Sequence, residues 1–471
     1  MTVPTFASHS EVPPEGDAWR AMFALSLGFF VSLLDQSMIA VALPGIQHGL
    51  EATVGQVMWV SSIYLLAVVA PLLFTGRLGD IYGQKKMFQW GIVLFGIGAL
   101  ACALAPNIGF LIAARGVQGL GASLQMPQTM AVINRIFARE RRGHALGVWG
   151  IIGSVASLAG PLLGGFVVGA CGWQAVFWVH VPFVIAAIVL SQRWVPVLAT
   201  TARRVDYVSV AVSFVALAAL VYGIQEGPGT GWAGWVWGLM AVGIGGLVAF
   251  VWLQSTAGNR GTEALVPLPL FKDRNYSAGS LAIVAMGFMA ASMMLPVMMW
   301  LQEVKGLGAG TAGMIVAPMA IISLAVSPIA GALADKVDPR RLATTGFVVL
   351  IGTLVLTVVL MRAEAGAWWM SVPMALLGVG QSFIWGSNPA TTMRDTPAPL
   401  MGAASGVYNT SRQVGSVVGV SAVSAVMQSA EGSGGMANSL FVIVAALVVG
   451  LIASLFFRDT LAAAARSAPA R

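Results

Sequence analysis

Long apolar segments separated by short polar ones recur along the whole chain. A helix needs about 20 mostly apolar residues to cross the hydrocarbon core of a bilayer. The segments are continuous rather than alternating, which favours helices over a membrane barrel. The apolar segments number fourteen, and an even number of membrane crossings places both termini on the same side of the membrane. Fourteen helices are predicted, at residues 20–44, 57–75, 87–105, 109–135, 143–169, 173–194, 207–225, 232–253, 275–301, 311–333, 341–362, 366–389, 402–428 and 437–457.

The composition indicates an all-α polytopic membrane protein. Hydrophobic residues make up 58% of the 471 positions and charged residues only 9%, whereas soluble proteins carry about 25% charged residues. Residues 1–17 are polar and lack the basic segment, short apolar core and cleavage site of a removable signal peptide. We therefore expect the first helix to serve as the membrane signal.

The basic residues indicate how the helices are oriented. Of the 25 Lys and Arg residues, only Lys305 and Arg362 lie on the predicted outer side, and only Arg115 and Arg412 lie in the interior of helices. The other 21 lie on the predicted inner side, in loops or at helix ends. Cytoplasmic loops carry the basic excess in membrane proteins, so we predict a bacterial inner-membrane protein with cytoplasmic termini. The net charge of +7 reflects this orientation, and no nucleic-acid partner is expected.

The cysteines and histidines give no sign of an enzyme. Cys102 and Cys171 lie near the predicted outer ends of two helices, where they either form one disulfide or remain small apolar residues. The histidines are too dispersed for a metal site, and no G-x-x-x-x-G-K-[ST] phosphate loop occurs. We therefore expect no metal, no cofactor and no enzymatic activity. The four histidines are His9, His48, His144 and His180.

The chain repeats itself. Segment 76–86 matches segment 331–341 in the spacing of its Gly, Asp and basic pair, and the predicted helices 143–169 and 402–428 share a glycine spacing. A six-helix unit thus occurs twice in the same orientation, with two helices inserted between the copies. The predicted organisation is a tail at 1–19, a bundle at 20–194, a linker at 195–206, two inserted helices at 207–253, a linker at 254–274, a second bundle at 275–457 and a tail at 458–471.

Four motifs resemble those of the fourteen-helix drug:H+ antiporters of the major facilitator superfamily, and the resemblance covers nearly the whole chain. The family's motif L-D-x-T-I-V-N-V-A-L-P is similar to segment 34–44 of this chain, and its motif G-R-L-x-D-x-x-G-R-[RK]-[RK] is similar to segment 76–86. The family's R-x-x-Q-G is similar to segment 115–119, and its G-x-x-x-G-P-x-x-G-G is similar to segment 156–165. The resemblance implies the major facilitator fold and proton-coupled export. Ala40 stands where the family usually has Asn, and Ala156 replaces the first Gly of the last motif. Ala40 removes a polar group near Asp35, so the substrate does not follow from the resemblance.

Asp35 is the only carboxylate predicted to lie well within the hydrocarbon, and Arg115 lies at a similar depth on another helix. An ionised side chain there costs several kcal/mol and usually serves a function. Burial favours the protonated acid and a nearby cation favours the carboxylate, a balance that can create a proton-exchange site. We interpret Asp35 and Arg115 as proton-coupling residues, with a permanent structural ion pair as the alternative.

Polar and methionine residues on three predicted helices indicate a substrate cavity. The polar stripe on helix 109–135 falls within an arc of about 80°, which would be costly against lipid. Methionines adapt to irregular ligands but also serve as packing filler. Arg412 either contacts substrate or braces helix carbonyls. The predicted cavity residues are Gln118, Gln125, Thr129, Met286, Met289, Met293, Tyr408, Asn409 and Arg412.

The resemblance assigns the two remaining motifs to gating. Asp80 is expected to contact the positive N-terminal end of helix 402–428 and latch the inner gate, a plain basic loop being the alternative. In helix 143–169, glycines permit close approach to a neighbouring helix and Pro161 loosens the helix. The loop residues are Gly76, Arg77, Asp80, Gly83, Lys85 and Lys86, and the helix residues are Gly160, Pro161, Gly164 and Gly165.

These features predict a monomeric, proton-coupled exporter of small lipophilic molecules such as drugs or antibiotics, which works by alternating access. Its partners are then the substrate, protons and the lipid bilayer. A transporter of a specific metabolite or lipid is the alternative. A cavity selective for a hydrophilic solute should contain more charged or amide groups than this sequence offers.

Overall fold

The structure, a computed structural model, describes residues 14–137, 141–200, 206–262, 264–334, 337–397, 400–429 and 432–458. Within these ranges the regular elements are helices, in agreement with the predicted all-α class. The helices are α1 (Glu15–Gly49), α2 (Val54–Val69), α3 (Leu72–Tyr82), α4 (Gln84–Ala103), α5 (Ile108–Ile136), α6 (Arg142–Cys171), α7 (Ala175–Trp178), α8 (His180–Trp194), α9 (Tyr207–Glu226), α10 (Gly234–Thr256), α11 (Arg274–Ser292), α12 (Met294–Met299), α13 (Ala309–Ala334), α14 (Pro339–Arg362), α15 (Ser371–Met393), α16 (Met401–Ser429) and α17 (Gly432–Leu455).

Helices lie at each of the fourteen predicted positions, but three of the predicted helices are interrupted. The span formed by α2 and α3 is bent by 48° near Pro71. The break between α7 and α8 precedes Pro182, and the break between α11 and α12 precedes Pro296. The proline ring clashes with the carbonyl four residues earlier and removes one backbone donor. Each interruption therefore follows from a proline that the apolar pattern alone did not reveal.

Nine helical spans in the described ranges are long and apolar enough to cross a membrane, or ten when the bent pair α2 and α3 is taken as one span. Among the helices outside this set, α5 carries buried Gln118, Gln125 and Gln128, and α16 carries buried Gln413. These amides face other helices rather than lipid, which is how polar residues are tolerated at membrane depth. The number of crossings, fourteen, remains a prediction.

The helices pack as two groups joined by an inserted pair. Helices α1–α8, called here the first half, contact mainly one another, as do α11–α17, the second half. The halves meet where α6 contacts α13 and where α2 contacts α16, and α9 of the inserted pair touches both α2 and α16. The domain limits drawn from the sequence stay a prediction, and parts of both linkers and both tails lie outside the described residues.

Small residues let neighbouring helices approach closely within each half. Where α4 crosses α5, a Cβ atom at Gly98 would lie only 2.6 Å from the backbone of Gln118. Where α11 crosses α16, a Cβ atom at Gly419 would lie 2.6 Å from the carbonyl oxygen of Phe288. Such approach is typical of membrane helices, whose association depends on packing rather than on the hydrophobic effect.

Asp206 links the start of α9 to the segment that follows α10. Its carboxylate caps α9 by accepting a hydrogen bond from the Ser209 backbone over 3.1 Å, and it pairs with Arg260 Nη2 at 2.7 Å. Gln254 of α10 donates to Ser209 Oγ over 2.9 Å. Burial raises the pKa of the Asp206 carboxyl, but the hydrogen bonds from Ser209 and Arg260 outweigh that effect and hold the pKa below its usual value.

Replacing Arg260 with alanine should destabilise the protein by about 1–3 kcal/mol, because a buried carboxylate loses a charged hydrogen-bond donor. Thermal unfolding in detergent measures this loss, and Arg193→Ala, which removes an exposed arginine at the end of α8, is the control. A carboxyl with a lowered pKa stabilises the folded state while it is ionised. The difference should therefore persist from pH 7 to 5 and shrink below about pH 4. Equal unfolding temperatures for Arg260→Ala and the native chain would contradict this account.

Candidate functional site

A buried ion pair lies at the centre of the first half. The side chains of Asp35 on α1 and Arg115 on α5 are both fully buried, and Arg115 Nη1 donates to Asp35 Oδ2 over 2.6 Å. The second carboxylate oxygen, Oδ1, accepts from Gln118 Nε2 over 3.0 Å. Both oxygens are thus occupied by donors that favour the ionised acid. The structure therefore brings together three of the residues singled out in the sequence.

Arg115 is also held by α2. Its Nε donates to the carbonyl oxygen of Val60 over 3.0 Å, and its guanidinium lies 4.2 Å from the centre of the Tyr64 ring. Its Nη2 has no hydrogen-bond partner within the described residues. A cation over an aromatic face is stabilised by the ring quadrupole, more strongly where water is excluded. Helices α1, α2 and α5 are therefore tied together through one side chain.

His180 is a member of this cluster that the sequence analysis missed. It opens α8, is fully buried, and places Nε2 3.8 Å from Asp35 Oδ1. In the sequence it is one of four dispersed histidines, and no motif contains it. The available signal was an ionisable residue inside an apolar membrane segment, which by itself suggests a functional site. We refer to Asp35, Arg115, Gln118 and His180 as the buried cluster.

The remaining polar residues of α5 bind within the first half. Gln125 Nε2 donates to Ser32 Oγ on α1 over 2.6 Å, and Thr129 Oγ1 donates to the carbonyl oxygen of Gln125 over 3.4 Å. Both side chains are fully buried. In this conformation Gln125 holds α5 against α1, whereas Thr129 bonds within α5. Contact of these predicted cavity residues with substrate would require that packing to open.

The second half contributes the other predicted cavity residues. Met286 and Met289 on α11, and Met293 directly after it, are buried. Tyr408 on α16 accepts a hydrogen bond from Asn388 over 2.8 Å. Asn409 donates to Met130 Sδ on α5 at 3.6 Å, which links the two halves.

Arg412 lies one turn further along α16 and is partly buried. Among the described residues it makes no ion pair, and no carbonyl accepts from its guanidinium. Bracing of helix carbonyls, one of the two roles considered for it, therefore finds no support in this conformation. Contact with substrate stays a prediction.

The loop motif joins α3 to α4 and reaches other parts of the chain. Gly83 has a φ of 96°, in the region that favours glycine, and separates the two helices. Arg77 donates to the carbonyl oxygen of Ala264 in the linker after α10, and Lys85 donates to that of Gln192 on α8. Gln84 donates to Asp80 over 3.3 Å. Helix α3 contacts α16. Residues 398 and 399, which precede Leu400 and α16, lie outside the described residues, and the latch between Asp80 and the start of α16 remains a prediction.

The helix motif on α6 faces two neighbours. A Cβ atom at Gly164 would lie 3.3 Å from Met38 on α1, and Gly160 faces Ser37 on the same helix. On the other side, a Cβ atom at Gly165 would lie 2.7 Å from the carbonyl oxygen of Ala309 on α13. The carbonyl of Pro161 is equally close to Gly313, where a Cβ atom would lie 2.9 Å away. The motif therefore packs α6 both inside its own half and across the interface.

One end of the molecule is closed by contacts between the halves. We call the end that carries Arg20, Lys85 and Arg193 the basic end. At the opposite end, Gln302 donates to the carbonyl oxygen of Val41 over 3.1 Å, and His48 Nε2 lies 3.0 Å from Glu303 Oε1. Both contacts join α1 to the π-helical turn Trp300–Val304 that follows α12.

Cys102 and Cys171 are free thiols, so the alternative of a disulfide between them is not realised.

A model of the family described as Major Facilitator Superfamily matches residues 25–420. The chain belongs to this superfamily. It is 38% identical to an uncharacterized MFS-type transporter of Mycobacterium tuberculosis over 411 residues, which cover 87% of this chain and 70% of that protein. It is 31% identical to the multidrug resistance protein Stp of the same species over 414 residues, which cover 86% of this chain and 75% of that protein.

A solved structure shares the fold. The crystal structure of an auto-inhibited peptide transporter of the POT family matches with a TM-score of 0.68 at 15% identity, over 96% of this chain and 98% of that one. At this identity the likeness shows the fold alone. As a superfamily member the chain is a polytopic membrane transporter rather than an enzyme, which agrees with the expectation from its sequence.

Gly165→Ala should destabilise the interface between α6 and α13, because its Cβ atom would lie 2.7 Å from a backbone oxygen that cannot rotate away. Overpacking of this kind costs about 1–3 kcal/mol. Gly169→Ala, one turn further along α6, is the matched control, since its Cβ atom would meet Gly310 at an ordinary 3.5 Å. Thermal unfolding in detergent compares the two variants. Equal unfolding temperatures would show that this contact does not limit the packing of the halves.

Proposed function

We propose that this protein exports small lipophilic compounds across the bacterial inner membrane in exchange for protons, as a monomer that opens alternately to each side. The observation that carries the proposal is the buried cluster, in which an acid and an arginine neutralise each other away from water. The basic end faces the cytoplasm in this proposal, because basic residues concentrate on that side of membrane proteins.

Protonation of Asp35 provides the coupling. In the present conformation Arg115 and Gln118 hold the acid ionised. A proton on the carboxylate removes its charge and leaves Arg115 as an uncompensated cation in a low-dielectric interior. Losing one partner of a buried ion pair costs about 3–5 kcal/mol. A single proton therefore supplies enough free energy to change how α1 packs against α2 and α5.

Helix α1 links the proton site to the gate. Val41 follows Asp35 on the same helix and accepts the hydrogen bond from Gln302 that helps to close the opposite end. Helices transmit displacement as stiff elements, and packed interfaces switch between discrete arrangements rather than deforming continuously. A shift of α1 that follows protonation would therefore disturb the contacts that close this end.

The chemistry of the interior supports a lipophilic substrate. Buried methionines on α11 can adapt to irregular apolar ligands. Arg412 is a cation without an ion pair among the described residues, which leaves room for compounds that carry a negative or polar group. A relative named as a multidrug resistance protein supports drugs as substrates. A panel of toxic dyes and antibiotics, tested on an efflux-deficient bacterium that expresses the protein, identifies the substrates.

Asp35→Asn should abolish proton-driven export while substrate exchange without a gradient continues, because asparagine keeps hydrogen-bonding capacity but cannot carry the proton. In proteoliposomes, substrate-driven proton movement is followed with a trapped pH dye and should fall at least tenfold. Asp17→Asn, at an exposed carboxylate near the start of α1, is the matched control.

Two outcomes would count against the proposal. Undiminished proton coupling in Asp35→Asn would remove Asp35 as the proton carrier. Uniform sensitivity of the host to the panel, together with no compound-dependent proton release from everted vesicles, would favour the transporter of a specific metabolite or lipid.

A further inference from the structure

His180 has the geometry of a second proton-holding group. Its Nε2 lies 3.8 Å from Asp35 Oδ1, the oxygen that accepts from Gln118, while Arg115 donates to Oδ2. That separation is about 1 Å longer than a hydrogen bond. A small movement of α8 against α1 would therefore bring the imidazole into direct contact with the carboxylate.

The surroundings of the His180 ring leave the hydrogen-bonding capacity of its nitrogens largely unused. Apart from a weak contact with the backbone of Phe177, neither ring nitrogen has a hydrogen-bond partner among the described residues. The ring instead packs edge-on against Phe95, with centroids 5.8 Å apart. A buried polar group left without a partner costs about 1–3 kcal/mol. An apolar residue in this place would avoid that cost, so retaining an imidazole calls for a functional explanation.

The groups that face His180 come from the helices packed around it. Helix α1 presents Asp35 and α5 presents Arg115, while α4 presents the apolar ring of Phe95. Cys102 on α4 and Tyr64 on α2 border the same cluster through Gln118 and Arg115. With Asp35 ionised and His180 neutral, the net charge of the buried cluster is zero, because the charges of Asp35 and Arg115 cancel. One added proton raises this net charge to plus one, whichever group binds it.

Resting on the proposed function, we infer that His180 and Asp35 share the transported proton and that His180 is its first acceptor. While Arg115 holds Asp35 as a carboxylate, an incoming proton binds the free ring nitrogen of His180. When Arg115 moves away, the proton passes from Nε2 to Oδ1, which leaves a neutral ring and a neutral acid. The reverse transfer restores both charges, so no further reactant is needed. Histidine suits this role because its protonation changes near neutral pH.

Nuclear magnetic resonance tests the inference without a substrate. The chain has four histidines, so the ring signals of isotopically labelled protein are few, and the signal lost in His180→Gln identifies His180. That signal should move as the pH is lowered from 8.5 to 5, because the ring binds a proton. In Asp35→Asn its midpoint should fall by about one pH unit or more, because the neighbouring negative charge is gone. The signal of His48, which lies beside Glu303 at the opposite end, should not respond to Asp35→Asn.

A His180 signal that stays constant from pH 5 to 8.5, or that titrates without responding to Asp35→Asn, would overturn the inference. Transport provides the second readout. His180→Gln and His180→Asn should each shift the pH profile of proton-driven exchange towards acid by about one unit, with substrate exchange at saturating proton concentration preserved. A merely structural role would lower the rate without moving the profile.

The two proposals can fail separately. If Asp35→Asn loses coupling while the His180 variants keep the native pH profile, the role of His180 is refuted and proton-coupled export stands. If Asp35→Asn stays coupled, the proposed function fails irrespective of what the His180 variants show.

Discussion

The ion pair between Asp35 and Arg115 governs how the first half is built. Neither charge can lie at membrane depth alone, so each needs the other and every remaining polar atom of the pair needs a donor or acceptor. Gln118 and Val60 supply hydrogen-bonding partners from α5 and α2, and the Tyr64 ring lies against the guanidinium. Arg115 Nη2 has no such partner among the described residues. Such a pair adds little net stability compared with apolar packing, because desolvation consumes most of the attraction. Its effect is to make one arrangement of three helices strongly preferred as long as both charges persist.

That dependence distinguishes the buried cluster from the other polar contacts of the interior. The hydrogen bond from Gln125 to Ser32 and the bond from Asn388 to Tyr408 join neutral groups. Neutral bonds of this kind are worth about 0.5–1.5 kcal/mol each and do not change when protons are exchanged near neutral pH. Among the buried contacts described, only the cluster combines a carboxylate, a permanent cation and an imidazole. The proposed proton exchange is therefore assigned to this cluster and not to the neutral hydrogen bonds.

Much of the fold could be predicted because its cause is local. The length and continuity of apolar segments located every helix, since crossing a bilayer imposes one length. The proximity of Asp35 and Arg115 followed from their similar depth in two helices. The breaks near Pro71 and Pro296 arise inside segments that are apolar throughout, so hydropathy did not show them, although the prolines themselves could have.

Tertiary arrangement accounts for what could not be predicted. His180 lies far along the chain from Asp35 and belongs to no motif, so only the packing of α8 on α1 reveals their contact. The partner of Arg77 is a carbonyl in the linker after α10, a backbone group with no sequence signature. Gln125 and Thr129 were interpreted as lining a cavity because both are polar on one face of α5. The structure shows that Gln125 also pairs α5 with α1, whereas Thr129 bonds to a carbonyl of its own helix.

The position of α9 has a mechanical consequence. Trp59 on α2 donates to Glu226 near the end of α9 over 2.6 Å, and Gln428 on α16 approaches the carbonyl oxygen of Gln225 at 3.5 Å. Helix α9 thus bridges the seam where α2 and α16 meet. On the other flank, α6 and α13 pack directly against each other through glycines. If the halves rotate against each other, α9 must either slide along one half or move together with it. The two flanks of the transporter are consequently unequal, and a hydrophobic molecule diffusing in the bilayer encounters a bridged seam on one and an unbridged seam on the other.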